Sequence, residues 1–433
     1  MNLILILALL TLLVFGLPIA VVLILFSIYP NIINPLFPAD PVYIIRSLVN
    51  GVNSFPILAV PMFMLSGTIM AKGKLSMKIF DFFSYFVARF TGGMPIAVIT
   101  TCLFYGAISG SGPATTSAVG AMTVPLLKKL GYKEDFSLAL VAVAGGLGVV
   151  IPPSIPFIFY GQAAGVSVAD LFIAGIIPGI LIGVAMMAYV YIYLKKNGED
   201  EEKIQAYSEK LKNRGFWNIF KESFLAILCP VIILGSIYSG IASPTEAAVI
   251  SVYYSLLVSV FVYKTIKLED LKGILLETIN SFASILIIIA AAAAFARVLV
   301  FLNIPSLISN ILASNIDSKL VLLIAINLIL LLVGMVMDTT PAILVLTPII
   351  YPLAMKFGVD PIHLGVITVV NLAIGFVTPP LGVNLFVASS LSDVSIDKII
   401  DKSLPFIGVF ILCLLLITFI PSLSLMLIWG GYE

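Results

Sequence analysis

The chain has 433 residues, 61% of them hydrophobic and 10% charged, with a formal net charge of +1. A water-soluble domain carries about 25% charged residues, so a fully hydrated surface is excluded, and so is the basic footprint of a nucleic-acid binder. Three cysteines (Cys102, Cys229, Cys413) sit in separate apolar segments and His363 is the only histidine, which argues against a disulfide framework, a zinc site or an HExxH protease.

The first apolar run, Leu3–Ile28, is too long for a signal-peptide core and has no basic flank, so it is expected to remain as a spanning helix. With a connector it makes up residues 1–50. Runs able to cross a ~30 Å hydrocarbon core follow at Phe55–Met70, Ile173–Leu194, Phe224–Ile241, Ala247–Val262, Ile279–Leu302, Leu320–Met337 and Leu404–Leu427.

The chain also repeats itself without a gap at an offset of 227 residues. Asn53-Ser54-Phe55 returns as Asn280-Ser281-Phe282, Pro125 as Pro352, Lys129 as Lys356, Gly148 as Gly375, and Pro152-Pro153 as Pro379-Pro380. Apolar composition alone would match Leu with Ile; it would not match Pro with Pro over about 125 residues. Residues 51–194 are therefore read as repeat one and 276–433 as repeat two. Between them lie a charged amphipathic connector (195–222) and two helices outside the repeats (223–275).

Lysine and arginine orient these pieces, because cytoplasmic loops are enriched in both. Lys195–Lys221 holds seven of them and is the best cytoplasmic loop. Two spans return the chain to Lys264, Lys267 and Lys272, so repeat two is expected to start inside. Repeat one is expected to start outside, since Phe55–Met70 ends at the basic residues Lys72, Lys74, Lys78 and Arg89. The repeats are thus inverted, an arrangement that lets one site face two sides in turn.

Each repeat contains two stretches that a spanning helix cannot cross unbroken. They are Ser109–Ser117 and Gly145–Ser154 in repeat one, and Gly334–Pro341 and Gly375–Asn384 in repeat two. Proline lacks an N–H and glycine tolerates any backbone angle. Irregular backbone at membrane depth survives only inside protein or along an aqueous cavity, so four paired breaks predict one shared polar cavity. The N–H groups at a half-helix start hold a carboxylate. Freed carbonyls and Ser/Thr hydroxyls suit a cation, Na⁺ where so few charges are present. The helices after the first break of each repeat are expected to begin near Thr116 and Thr340, where a hydroxyl serves equally as cap or ligand.

Asp338 is the only carboxylate between Leu320 and Leu353. An unpaired Asp at a helix centre costs about 2.5–3.5 kcal/mol on insertion scales, so it is either an N-cap or a cation ligand; its repeat counterpart is Ser111. Glu246, following Ser243-Pro244, reads as a structural helix start. Arg297, near the outer end of its span, reads as a snorkelling side chain that is also placed to assist an anion.

These motifs resemble the large, M-type membrane subunit of the tripartite ATP-independent periplasmic (TRAP) transporters. The resemblance is carried by Gly110–Thr115, Ile151–Pro156, Ser243–Ala247, Met337–Ala342 and Val377–Asn384 in that order, and covers essentially the whole chain. It implies an all-α, inverted-repeat, elevator-type fold of the bacterial inner membrane with two re-entrant helical hairpins, and no enzymatic activity. Residues 223–275 become part of a fixed scaffold. It implies three partners: a small four-helix membrane subunit, expected as a separate chain; a periplasmic substrate-binding protein; and an organic acid, imported with Na⁺ as coupling ion.

By motif position the candidate substrate residues are Ser111, Thr115, Thr116, Ser117, Ser154, Asp338, Thr340 and Asn384. The candidate Na⁺ ligands are Ser109, Gly112, Gly148, Ile151, Gly334, Asp338, Thr339, Gly375 and Thr378. A self-sufficient Na⁺/carboxylate symporter of the same superfamily is the alternative. An intramembrane aspartyl protease is not, because the chain has neither a GxGD motif nor a Tyr-Asp pair.

Overall fold

Proline and glycine cut the chain into helices, and no strand occurs among the described residues. The structure, a computed structural model, describes residues 17–73, 75–304, 306–307 and 318–429. In chain order the helices are α1 (Ile19–Ile33), α2 (Pro41–Val52), α3 (Ala59–Lys72), α4 (Leu75–Val87), α5 (Gly93–Ser109), α6 (Gly112–Lys129), α7 (Glu134–Gly145), α8 (Ile155–Ala164), α9 (Val168–Asn197) and α10 (Glu201–Arg214). Then follow α11 (Phe216–Tyr238), α12 (Pro244–Leu257), α13 (Asp270–Phe301), α14 (Lys319–Gly334), α15 (Thr339–Lys356), α16 (Pro361–Gly375), α17 (Val383–Ser389), α18 (Ile396–Phe419) and α19 (Ser422–Trp429).

Among the described residues seven helical segments are long and apolar enough to cross a bilayer, and they expose large aliphatic side chains such as Ile192, Ile287 and Leu412. Water does not tolerate such a continuous apolar surface, whereas lipid does. The protein is a multi-pass membrane protein.

Three predicted spans differ in the structure. Leu320–Met337 stops at Gly334 and is a shorter apolar helix of 16 residues. Leu404–Leu427 is split between α18 and α19, because Ile420, ahead of Pro421, leaves the helical conformation. Much of Leu3–Ile28 lies outside the described residues; Leu17 and Pro18 are not helical, and α1 starts at Ile19 and runs on to Ile33. Lys74 and the loop expected outside after Leu302 also fall largely outside the described residues.

The helices sort into two packed groups. One contains α1, α2, α3, α11, α12 and α13, with α12 against α3 and α13 against both α1 and α2. The other is a dense body of α5–α8 and α14–α18, with α6 on α7, α14 on α16, and α15 on α8. Nearly every side chain of α7 and α16 is buried, so these two apolar helices form its centre. Helix α9 ties the halves of the body together through α5, α18 and α19.

The internal repeat is visible in the helices. Helix α6 and helix α15 are displaced by the same 227 residues at both ends, and both Pro-Pro bonds, Pro152-Pro153 and Pro379-Pro380, are cis. The copies differ where proline differs. Pro56 begins a short 3-10 turn that separates α2 from α3, while its counterpart, Ala283, lies inside the continuous α13.

The charged connector folds back onto its own chain. Helix α10 buries Ile204, Ser208 and Leu211 on one face. Arg214 bridges Asp81 at 2.6 Å and Glu222 at 2.9 Å, and Lys78 reaches Glu222 at 3.3 Å. The bonds to Asp81 hold the Arg214 guanidinium above its ordinary pKa. Single exposed pairs contribute about 0–1 kcal/mol, but a network fixes geometry. Arg214→Ala is expected to loosen α10, so that a Glu-specific protease cuts around Glu199–Glu202 several-fold faster with overall folding kept. Equal digestion rates would show that the buried apolar face alone holds the connector.

Candidate functional site

The first break is sharper than predicted. Helix α5 ends at Gly110, whose φ of +60 is a left-handed conformation that glycine adopts without strain. Ser111 then turns extended and caps α6, its Oγ accepting from the Ala114 N–H at 3.5 Å. Helix α6 begins at Gly112, four residues before the expected start, because Pro113 in the first turn favours helix rather than breaking it.

Behind this tip the backbone packs without side chains. A Cβ on Gly106 would lie 2.6 Å from the Gly148 Cα, and one on Gly148 would lie 2.4 Å from Thr115 Oγ1 and 2.8 Å from the Ser111 carbonyl oxygen. Three oxygens converge there: Thr115 Oγ1 donates to the Ser111 carbonyl at 2.8 Å, and Ser109 Oγ lies 3.0 Å from Thr115 Oγ1 and 3.4 Å from that carbonyl. This is a compact oxygen cluster of the kind that suits a small hard cation.

The second tip repeats the plan with a carboxylate. Helix α14 ends at Gly334, a turn follows, and Asp338 caps α15 with Oδ1 accepting from the Thr339 N–H at 2.6 Å and the Thr339 hydroxyl at 3.3 Å. Gly375 sits directly on Gly334; a Cβ there would be 2.4 Å from the Gly334 carbonyl oxygen. Thr378 Oγ1 donates to the Ile374 carbonyl at 2.7 Å, and the Leu381 N–H to the Met335 carbonyl at 3.0 Å.

Both tips face one cavity of about 580 Å³. Of the candidate residues, Ser109, Ser111, Ser117, Asp338, Thr339 and Thr340 line it. Among the described residues no Lys or Arg forms an ion pair with Asp338. Thr115, Gly148, Gly334, Gly375 and Thr378 stand behind the two tips. Ile151 packs against Gly179. Ser154 Oγ donates to the Val149 carbonyl at 2.5 Å and caps α8. Asn384 Nδ2 donates to the Ala142 carbonyl at 3.0 Å and lies near Gly112. Thr116 Oγ1 and Asn384 Oδ1 are buried with no partner among the described residues.

The opposite wall was not visible in the sequence. Helices α3 and α13 supply it, and Lys72 and Glu277 pair at 2.6 Å on its rim. Tyr105 OH donates to the Gly67 carbonyl at 3.1 Å on the same wall. A second polar element escaped prediction: buried Asn371 donates to Asn327 Oδ1 at 2.8 Å, and Asn327 to Thr418 Oγ1 at 3.2 Å, linking α14, α16 and α18. Asparagine inside two apolar spans was its only sequence signal. Glu246 closes a capping box with Ser243, accepting from the Ser243 N–H at 2.8 Å and the Ser243 hydroxyl at 2.7 Å.

A family model described as "Tripartite ATP-independent periplasmic transporter, DctM component" matches residues 6–423. The chain belongs to that family. TRAP large permeases from several bacteria are similar to it throughout. The isethionate TRAP transporter permease of Oleidesulfovibrio alaskensis is 40% identical over 95% of this chain, which spans 64% of that longer relative. The C4-dicarboxylate large permease DctM of Pseudomonas aeruginosa is 38% identical over 86% of both chains. The sialic acid large permease SiaM of Vibrio cholerae is 33% identical over 88% of both. In fold, the chain is similar to the YdaH transporter of Alcanivorax borkumensis, with a TM-score of 0.63 over 92% of this chain and 90% of that one, at 16% identity. As a TRAP large permease, the protein is a transporter subunit of the bacterial inner membrane and not an enzyme.

Proposed function

We propose that the chain is the membrane permease of a Na⁺-coupled, binding-protein-dependent importer of small organic anions, working by an elevator movement. The observation that carries this reading is the meeting of two helix starts, Ser111 and Asp338, on one polar cavity. N–H groups at those starts favour an anion; the oxygen cluster of Ser109, Ser111 and Thr115, and the Asp338 carboxylate, favour Na⁺ as co-substrate. The dense body that carries both tips is the natural mobile unit, and the α1–α3 and α11–α13 group the natural scaffold. The relatives named above carry isethionate, C4-dicarboxylate or sialic acid in their names. All are small organic anions, and that class is the substrate proposed here. A small membrane subunit and a periplasmic binding protein complete the system.

The test is uptake into proteoliposomes holding the chain with its small subunit, driven by an inward Na⁺ gradient, with the binding protein added outside. Uptake should need all three proteins and Na⁺ but no ATP. Ser111→Ala or Thr378→Val should raise the Na⁺ concentration for half-maximal uptake. Uptake indifferent to Na⁺, or undiminished without the binding protein, would overturn the reading.

A further inference from the structure

A second cavity, of about 730 Å³, lies between α2, α13, α8 and α15. It is related to the first by the internal repeat. Asn50, Leu344 and Pro348 line it, and their counterparts at the 227-residue offset, Glu277, Ser117 and Ala121, line the first. The two cavities open at opposite ends of α13. Glu277 marks one and Arg297 the other, and twenty residues of helix separate them by about 30 Å, the thickness of a bilayer core.

The charge of the second cavity is one-sided. Arg46 and Arg297 line it together with Tyr43, Asn50 and Gln162, and among the described residues no Asp or Glu does. The packing brings the arginines level. Tyr43 stacks edge-on against Phe301 with ring centroids 5.3 Å apart, and Gly51 presses on Ala293. Helices α2 and α13 therefore run antiparallel, in a register that sets Arg46 opposite residue 298, beside Arg297. Among the described residues neither arginine forms an ion pair, and both are exposed. Gln162 Nε2 donates to the Gly51 carbonyl at 3.3 Å, and Gln162 Oε1 is buried with no donor among the described residues.

Two arginines at one level of the helix pair, lining a recess with no counter-charge among the described residues, concentrate anions. We infer that this cavity is an anion-binding vestibule in which Arg46 and Arg297 hold the carboxylate of a small organic acid, apart from the site between the hairpin tips. That the acid is transport cargo rests on the import reading above; that the cavity binds small carboxylates does not.

The test uses a reporter cysteine and no transport. Asn50→Cys places a thiol on the cavity wall, and the native Cys102, Cys229 and Cys413 are buried. Labelling rates are measured in phosphatidylcholine nanodiscs with two methanethiosulfonates of similar size, one bearing a sulfonate and one a trimethylammonium group. The sulfonate reagent should be favoured, and Arg46→Gln with Arg297→Gln should lower the sulfonate-to-ammonium ratio on the order of tenfold. Arg→Lys at both positions should keep most of the preference, which separates charge from misfolding; Ala296→Cys is a second reporter on the same wall. Millimolar succinate should slow sulfonate labelling in the arginine form only. A ratio unmoved by the double Gln variant overturns the proposal. So does protection by phosphatidylglycerol with none by succinate, which would assign the arginines to a lipid headgroup. Loss of selectivity here leaves Na⁺-driven uptake untouched as a question, and loss of that uptake with selectivity intact leaves this site standing.

Discussion

Asp338→Asn is expected to leave the protein folded and to remove most Na⁺-driven uptake. Asparagine caps a helix as well as aspartate does, so the α15 start that Asp338 now holds through the Thr339 N–H persists. What the substitution deletes is the charge. A charge-assisted contact is worth about 1.5–3 kcal/mol, so cation binding should weaken roughly ten- to hundred-fold. Asp338→Ala removes cap and charge together and should add a loss of thermal stability. Comparing Na⁺-dependent uptake with melting temperature for the two variants separates the roles. If the Asn variant transports at the wild-type rate, Asp338 is a cap and no more.

Gly375→Ala is expected to damage the second tip badly for a single added methyl group. It would drive a Cβ to 2.4 Å from the Gly334 carbonyl oxygen and 2.7 Å from the Gly334 Cα. Both are backbone atoms, so no side chain can swing away. Overpacking of this kind costs about 1–3 kcal/mol, and here it also pushes the second tip off the turn at Thr378. Gly408→Ala is the control. That glycine lies inside α18 with nothing within 4 Å of the new atom, and alanine there should stabilise the helix by up to about 1 kcal/mol. The prediction fails if the two variants melt alike and transport alike.

The legible part of this molecule was written in proline and glycine. They gave the repeat, because apolar side chains drift among Leu, Ile and Val while a backbone break does not. They gave the four interruptions for the same reason. They misled where one signal has two meanings. Gly112-Pro113 reads as a breaker but serves as the first turn of α6, and Pro421 ends a helix inside a run that is apolar throughout, whereas Pro178 and Pro405 sit within unbroken α9 and α18. Which of these holds depends on whether neighbours take up the freed carbonyl, and a sequence does not list neighbours. The Lys72–Glu277 rim was illegible for the same cause: each residue looks like an ordinary loop charge until α3 and α13 are laid side by side.

The unequal treatment of Pro56 and Ala283 has a mechanical outcome. Because nothing interrupts α13, its 32 residues form a strut about 48 Å long, well over the ~30 Å of hydrocarbon available. Such a strut must lean or project, with Asp270, Lys272 and Glu277 lodged among the headgroups at one end. Its counterpart, jointed between α2 and α3, adjusts by bending. Thicker or thinner lipid therefore loads one half of the molecule more than the other, so acyl-chain length in reconstitution is expected to strain the two repeats unequally.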